Sequence, residues 1–167
     1  PEDVSLVLRF PAQRRRLLDI LISQSSASYL RDLQRYNRVL TQRNHLLRAA
    51  KKSNRGPVER QVMEPWDVQL VELGAEIRKC RLEALEKINA PFTRYYDRFS
   101  PADEEAVITY QGAKESGLEA LRTELKEALE RRRDQEAQMG HTLSGPHRDD
   151  LKFTLNGESA EIYASEG

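Results

Sequence analysis

The chain has 167 residues, of which 38% are hydrophobic and 32% are charged, and its 27 basic residues balance its 27 acidic ones. The balance hides an asymmetry, because residues 1–60 contain 13 basic and 5 acidic side chains while residues 61–167 contain 14 and 22. No apolar run reaches the ~20 residues that a membrane-spanning helix needs, and the single cysteine excludes an internal disulfide. These features indicate a helical protein of a reducing compartment, and we expect it to be cytoplasmic, with no membrane partner.

The first predicted helix covers residues 12–23, directly after Pro11, since proline suits the first turn of a helix. A group of serines at positions 25, 26 and 28 then supplies turn and N-cap chemistry for the next helix.

The second predicted helix runs from residue 27 to about residue 52 and carries a seven-residue repeat. Leu33, Leu40 and Leu47 form one row of the repeat, and Leu30, Asn37 and Asn44 form the neighbouring row. Two interpretations stay open: a coiled-coil seam in which buried Asn fixes the pairing, or a face that is only partly buried.

A loop is predicted at residues 51–57, and a second long helix from about Pro65 and Trp66. Its apolar seam includes Trp66, Leu70, Leu73, Ile77, Cys80 and Ala84, and then slips by one position to Leu85, Ile88, Phe92, Tyr95 and Phe99. Pro91 is expected to kink or end this helix. The two long helices predict an antiparallel hairpin, with Cys80 as a packed core thiol.

Residues 106–110 form a strand candidate, and Ser116 with Glu119 matches a capping box. The box predicts a helix to about residue 138 with Leu118, Leu121, Leu125 and Leu129 on one face. Alternating apolar residues around Asn156 and Gly157, from Leu151 to Ile162, predict a β-hairpin. The expected fold is therefore mainly α, a long antiparallel helical hairpin or bundle with a small β-hairpin near the C-terminus. We expect a helical domain at residues 1–140 and a loop with the hairpin at residues 141–167.

Arginines are concentrated in the basic first part of the chain. The candidates for contact with DNA phosphates are Arg14, Arg15, Arg16, Arg31, Arg35, Arg38 and Arg43, and three of them follow helical i, i+4, i+7 spacing. Two alternatives remain, namely a solvated helix face and internal pairing with the acidic part of the molecule.

The segment from Gly140 to His147 has the outer spacing of a phosphate loop but lacks its Lys-Ser/Thr pair, so no P-loop is predicted. The densest group of functional atoms is Gly145-Pro146-His147-Arg148-Asp149-Asp150. One interpretation is that these residues tie a turn to its neighbours, which we favour. The other is a hydrolytic site with His147 as base and the two aspartates as metal ligands. Nothing else in the sequence completes that site, so no catalytic residue and no metal ligand is predicted.

The chain resembles the RecF family of bacterial ATP-binding-cassette proteins in several separate blocks. They are Pro1-Glu2-Asp3-Val4, the segment Pro11-Ala12-Gln13-Arg14-Arg15-Arg16-Leu17-Leu18-Asp19, Leu40-Thr41-Gln42-Arg43-Asn44-His45-Leu46-Leu47, Trp66-Asp67, Thr142-Leu143-Ser144-Gly145-Pro146-His147-Arg148-Asp149-Asp150-Leu151, and Ala164-Ser165-Glu166-Gly167. The order and spacing of the blocks cover the whole chain. Leu17 stands where the family usually has Phe, and Glu166 where it usually has Gln or Arg.

The resemblance implies the central helical domain of a longer protein, with its phosphate loop before Pro1 and its Walker B carboxylates after Gly167. The piece alone should then not hydrolyse ATP, although the intact protein resembles a weak ATPase that uses ATP and Mg²⁺. Ser165 and Gly167 match the signature segment that contacts nucleotide bound by the partner subunit of a RecF homodimer. The resemblance also implies binding to single-stranded or gapped DNA. With RecO and RecR, such a protein promotes RecA loading in recombinational repair, replication and the SOS response. The alternative is a protein–protein interaction or dimerisation module that does not contact DNA.

Overall fold

A computed structural model describes residues 10–53, 58–98 and 105–159. In chain order the elements are α1 (Pro11–Ser25), α2 (Ala27–Ser53), α3 (Arg60–Tyr96), β1 (Ala106–Gln111), α4 (Leu118–Met139), β2 (Asp150–Leu155) and β3 (Glu158–Ser159). The mainly α architecture with a small antiparallel sheet confirms the predicted fold class. The predicted loop at residues 51–57 lies largely outside the described residues, as do Phe99, Ala160 and Ile162.

The helices α2 and α3 form the predicted antiparallel hairpin. Arg43 of α2 pairs with Asp67 near the start of α3, whereas Tyr29, early in α2, accepts a hydrogen bond from Arg81, further along α3. The helix α4 then packs antiparallel to α3, since Arg60 meets Glu130 and Glu72 meets Arg122. The three helices enclose a core of apolar side chains that includes Leu70, Leu73, Ile77, Leu121, Leu125 and Leu129.

The N-terminus of α2 is capped by a serine, as predicted. The backbone N–H of Tyr29 donates to Oγ of Ser26 at 3.2 Å, and Ser26 is the extended residue that separates α1 from α2. A second predicted cap is wrong: α4 begins at Leu118 with Gly117 as its N-cap, and no side chain caps it. Ser116 therefore lies before the N-cap, and Glu119 is the second residue of the helix instead of the third that a capping box needs.

The prolines of α3 do not delimit it as predicted. The helix begins at Arg60, five residues before Pro65, and it continues through Pro91 to Tyr96. Beyond Pro91, Thr93 donates through its hydroxyl to the carbonyl of Ala106 at 2.8 Å, which docks this last turn on β1. The predicted apolar seam is packed as far as Phe92, but Tyr95 is exposed because the helix has by then passed the end of the core.

The buried face of α2 is shifted by one residue from the row of Leu30, Asn37 and Asn44. Tyr29, Tyr36 and Arg43 are buried at seven-residue spacing, while Leu30 and Asn37 are exposed. The predicted seam is therefore only partly buried, and polar-tipped side chains take the innermost positions. Their hydroxyl and guanidinium groups reach partners in other elements, which compensates for their burial.

The strands form one antiparallel sheet in the order β1-β2-β3, with Ala106 opposite Leu155 and Gln111 opposite Asp150. The turn between β2 and β3 consists of Asn156 and Gly157, with φ of 50° and 82°. Positive φ at both positions is the geometry that Asn-Gly favours in a two-residue hairpin, so the predicted hairpin is confirmed.

Candidate functional site

The loop between α4 and β2, residues 140–149, lies against α2 and α3 and is called the anchor loop below. Gly140 has a φ of 76° and ends α4 in the left-handed conformation that favours glycine. Gly145 has a φ of 128°, and a Cβ there would overlap the hydroxyl of Tyr36. The anchor loop therefore requires a glycine at position 145, both for the backbone conformation there and for the close approach of the loop to α2.

Asp149 of the anchor loop is buried and fully engaged. Arg78 of α3 donates from Nε and Nη2 to its two carboxylate oxygens, each at 2.8 Å. The hydroxyl of Tyr110 in β1 donates to Oδ2 at 2.6 Å. A bidentate arginine and a phenol thus compensate the buried negative charge, which would otherwise be costly.

Asp150 begins β2 and pairs with α1. Arg14 donates from Nε and Nη2 to the two oxygens of Asp150, at 2.8 and 2.7 Å. Burial opposes the ionisation of Asp150, but the hydrogen bond from Arg14 and the backbone N–H of Leu151 hold its pKa below its usual range. Next to it, Arg15 donates from Nη1 to the backbone carbonyl of Asp149 at 2.6 Å.

Arg81 joins four elements around the same loop. Its Nη1 donates to the carbonyl of Pro146 at 2.7 Å and to the hydroxyl of Tyr110 at 3.2 Å. Its Nη2 lies 2.9 Å from a carboxylate oxygen of Asp19 in α1, and its Nε donates to the hydroxyl of Tyr29 at 3.2 Å. The hydroxyl of Tyr29 in turn donates to Asp19. Arg81 therefore fixes α1, α2, β1 and the anchor loop relative to α3.

His147 is held at both ring nitrogens. Its Nδ1 lies 2.7 Å from the hydroxyl of Tyr36, and its Nε2 lies 3.3 Å from the carbonyl of Thr142. Since a carbonyl only accepts, we assign the proton to Nε2, and the Tyr36 hydroxyl donates to Nδ1. Burial is the main cause that lowers the pKa of His147 to about 4, so the ring is neutral at pH 7.

Arg43 anchors the start of the loop. Its Nη1 donates to Oγ1 of Thr142 at 2.8 Å and lies 2.7 Å from Oε2 of Glu136, and its Nε donates to Asp67 at 2.7 Å. Glu136 is fully buried; its Oε1 accepts from the N–H of Leu143, while Oε2 faces Arg43 outside hydrogen-bonding geometry. The side-chain oxygen Oδ1 of Asn44 accepts hydrogen bonds from the backbone N–H and from the hydroxyl of Thr142.

The structure separates the predicted DNA-contacting arginines into two groups. Arg14 and Arg43 are only 4% and 2% exposed and hold carboxylates inside the molecule, in agreement with the alternative of internal pairing. Arg16, Arg31, Arg35 and Arg38 are exposed, and Arg15 is half-buried. Of the exposed group, Arg35 lies 3.6 Å from Asp32.

The anchor-loop motif has the geometry of a structural element. Both ring nitrogens of His147 are engaged, and Asp149 and Asp150 are each neutralised by an arginine. Across residues 10–53, 58–98 and 105–159, no group of three His, Cys, Asp or Glu side chains is placed to hold a metal ion. This arrangement supports the interpretation that the motif ties a turn to its neighbours, and Arg148 adds two long contacts of 3.4 Å to the carbonyl of Thr142.

Several residues of this site were not predicted from the sequence. Arg78 holds Asp149, and Arg81 donates both to Pro146 of the anchor loop and to Asp19. Tyr110 and Glu136 also bond the loop. Their position in α3 could have indicated that they are buried, because Arg78 and Arg81 directly follow Ile77 and Cys80 of the apolar seam. A charged side chain at such a position needs a buried partner, and that partner was Asp149 or Asp19.

A basic cleft of about 280 Å³ lies beside the anchor loop, between α1 and α2. Arg15, Arg16 and Arg81 line it, with Asn37 of α2 and His147. Arg15 and Arg16 are among the predicted phosphate contacts. Ser165 and Gly167, the predicted nucleotide contacts, lie outside the described residues.

The whole chain is similar to curated proteins called DNA replication and repair protein RecF. It is 44% identical over 174 residues to the protein of Heliobacterium modesticaldum and 42% identical over 170 residues to that of Moorella thermoacetica. The protein of Bacillus subtilis is 35% identical over 171 residues. The chain spans 45%, 43% and 46% of these relatives, which is a little under half of their length. No protein-family model matches it.

Two solved structures of the recombination mediator protein RecF in the RecFOR pathway superimpose on the chain. The structure with ATPrS has a TM-score of 0.89 and the structure with ATP a TM-score of 0.88, each at 32% sequence identity. The chain covers 45% and 43% of these structures. Its fold is thus that of a segment of a recombination mediator. More particularly, the chain matches a part of RecF over its whole length, which confirms the family resemblance seen in the sequence.

Proposed function

We propose that the chain is the helical domain of a RecF-type recombination mediator and that its exposed arginines contact the phosphates of DNA. The observation that carries this proposal is the exposure of Arg31, Arg35 and Arg38 along one stripe of α2, with Arg16 exposed on α1. Arginine is well suited to phosphate oxygens, and phosphate contacts give sequence-independent binding. The names of the relatives and of the solved structures support DNA repair as the setting.

In the intact protein we propose that ATP and Mg²⁺ bind outside the described residues. Two of the similar structures contain ATP or ATPrS, and this chain has no phosphate loop. Ser165 and Gly167 would contact nucleotide on the partner subunit of a homodimer.

The further proposal is that the intact protein acts on single-stranded or gapped DNA, with RecO and RecR, to load RecA in repair, replication and the SOS response. The RecFOR pathway named for the solved structures supports RecO and RecR as partners. Among the described residues, no helix is both long and apolar enough to cross a membrane.

Titration of the chain with fluorescent oligonucleotides at several salt concentrations tests the DNA contact. Binding should weaken steeply with salt, because each neutralised phosphate releases about one counterion. Replacing Arg31, Arg35 and Arg38 together by Gln should lower the salt dependence by roughly two to three counterions. The matched control replaces three exposed cations elsewhere, Lys87, Arg94 and Arg131, by Gln. Equal effects of the two triple variants, or no binding at low salt, would count against the proposal.

An interaction module is the second candidate, and an apolar face of α1 favours it. Leu17, Ile20 and Leu21 are 44%, 45% and 46% exposed on this helix. A neighbouring groove of about 550 Å³ is lined by Leu21, Cys80, Ala84 and Ile88. Contiguous exposed apolar side chains of this kind commonly mark contact surfaces. Light scattering across a concentration series tests self-association, which Ile20→Asp should abolish; a strictly monomeric wild-type chain would contradict it.

A further inference from the structure

We infer that the basic cleft between α1 and α2 is a phosphate-binding site in which Arg15 and Arg16 hold the anion. The inference adds a second site to the proposed DNA contact. It rests on that proposal where the bound anion is a phosphate of a polynucleotide. A free phosphate or a mononucleotide would present the same chemistry. The cleft is separate from the exposed stripe of Arg31, Arg35 and Arg38, none of which lines it.

The charges that line the cleft are not balanced. Among the described residues that line it, three guanidiniums, those of Arg15, Arg16 and Arg81, face one carboxylate, that of Asp19. Both oxygens of Asp19 are already occupied, because Arg81 donates to both and Tyr29 donates to one of them. Within the part of the chain that the structure describes, neither Arg15 nor Arg16 makes a salt bridge.

The arginines around Arg15 differ from it in their partners. Arg14, Arg78 and Arg81 each hold a carboxylate with two donors, on Asp150, Asp149 and Asp19. Arg15 lies among them, yet among the described residues its hydrogen bond goes to a neutral acceptor, the backbone carbonyl of Asp149. Burial, followed by the positive charge of Arg81, lowers the pKa of Arg15, so the surrounding carboxylates do not fully compensate its charge.

Arg15 is also oriented in advance for a ligand. A guanidinium has five N–H donors in a rigid fork, and the bond from Nη1 to the Asp149 carbonyl at 2.6 Å uses only one of them. Fixing the fork by this bond reduces the entropy that binding would cost. The exposed Arg16 and the amide of Asn37 lie at the same cleft and add donors from two helices. Paired guanidiniums with free donors match the bidentate geometry of phosphate oxygens.

The test is nuclear magnetic resonance of the arginine Nε–H groups of the whole chain, titrated with inorganic phosphate. Saturable shifts of the Arg15 and Arg16 signals are expected, each signal being assigned by its loss in Arg15→Gln or Arg16→Gln. Arg16→Gln should weaken phosphate binding by about tenfold, as expected when one of two charge-assisted contacts is removed. Arg94→Gln is the matched control, since Arg94 is exposed and distant in sequence, and it should change the affinity by less than about twofold. Arg15→Lys, which keeps the charge but not the fork, should retain only part of the affinity.

Two further titrations distinguish the source of the phosphate. If a mononucleotide saturates the Arg15 signal as an oligonucleotide does, the site takes a free or terminal phosphate. If only oligonucleotides saturate it, the site takes the polynucleotide backbone. Either result supports the site.

Unshifted Arg15 and Arg16 signals with all three ligands would overturn the inference, as would equal effects of Arg16→Gln and Arg94→Gln. Failure of the proposed DNA contact would give a different result. Oligonucleotides would then not bind, while inorganic phosphate would still shift the Arg15 and Arg16 signals. Conversely, DNA binding that depends on Arg31, Arg35 and Arg38 but leaves the Arg15 signal unshifted would reject the cleft alone.

Discussion

The hydroxyl of Tyr36 lies 2.7 Å from Nδ1 of His147, although 111 residues separate them in the chain. The pair connects the buried face of α2 to the anchor loop. Because the Tyr36 hydroxyl donates and His147 accepts, the contact requires a neutral imidazole. Protonation of His147 would place a second donor opposite the phenol in a buried position.

This contact predicts a loss of stability in mild acid. The pKa of His147 is about 4 in the folded chain, against an ordinary value of 6.5, so the unfolded chain binds the proton first as the pH falls. The free energy of unfolding should therefore decrease between about pH 6.5 and pH 4, by up to roughly 3 kcal/mol from this group. Urea unfolding at pH 7.5 and at pH 4.5 measures the decrease. His147→Gln should reduce it, whereas the exposed-histidine control His45→Gln should not; the same pH dependence in both variants would refute the assignment.

Removal of the Asp149 charge should be strongly destabilising. Asp149→Asn leaves the buried guanidinium of Arg78 without its carboxylate, and breaking a buried pair in this way costs about 3–5 kcal/mol. Chemical denaturation at pH 7 measures the loss. The control is Glu130→Gln, which breaks the exposed pair with Arg60 and should cost less than about 1 kcal/mol. Similar losses for the two variants would show that burial does not set the strength of the Asp149 pair.

Gly145→Ala should destabilise the anchor loop for two separate reasons. Its φ of 128° is unfavourable for a residue with a side chain, and the new Cβ would overlap the Tyr36 hydroxyl. Strained backbone of this kind costs about 1–3 kcal/mol before the overlap is added. Thermal or urea unfolding reports the sum, and combination with Tyr36→Phe should recover the steric part. Gly117→Ala is the control, because a Cβ there meets nothing within 4 Å; equal losses in the two variants would contradict the prediction.

Asn89 should be important for the position of β1. Its side-chain amide donates to the carbonyl of Ile108 and accepts from the N–H of the same residue, both at 2.9 Å. It therefore satisfies the outer edge of β1 as a neighbouring strand would. Asn89→Ala removes both bonds and should cost about 2–3 kcal/mol, as a denaturation curve would show. Gln69→Ala, which removes one exposed bond to the carbonyl of Pro65, should be nearly neutral; a neutral Asn89→Ala would show that β1 is held by its packing alone.

The sequence was most informative where a local pattern decides the structure. Heptad and helical spacing predicted the long hairpin and α4, and Asn156-Gly157 predicted the two-residue turn, because both signals act within a few residues. The ends of α3 were less predictable. Its hydrogen bonds continue on both sides of Pro65 and Pro91, and the last turn is held by contacts with β1 that periodicity does not reveal.

The interior of the site was harder to predict because its partners are distant in the sequence. Nothing near Arg14 indicates that it pairs with Asp150, and nothing near Asp149 indicates Arg78. The charge asymmetry did indicate internal pairing as one outcome, and it is the outcome for Arg14 and Arg43. It could not identify that Arg15 and Arg16 of the same run make no salt bridge within the described part of the chain, since that depends on which face of α1 meets β2.

The long sequence separation of the anchor pairs has a consequence for the order of folding. Arg14 and Asp150 are 136 residues apart, and Arg78 and Asp149 are 71 apart, so neither pair can form until the chain between them is largely collapsed. We expect the α2–α3 hairpin, whose contacts are more local, to form in the transition state, and the anchor loop to dock after it. Contacts that form late affect mainly the rate of unfolding. The arginine–carboxylate pairs would then slow the unfolding of the domain and so set the lifetime of the folded state, with little influence on the folding rate.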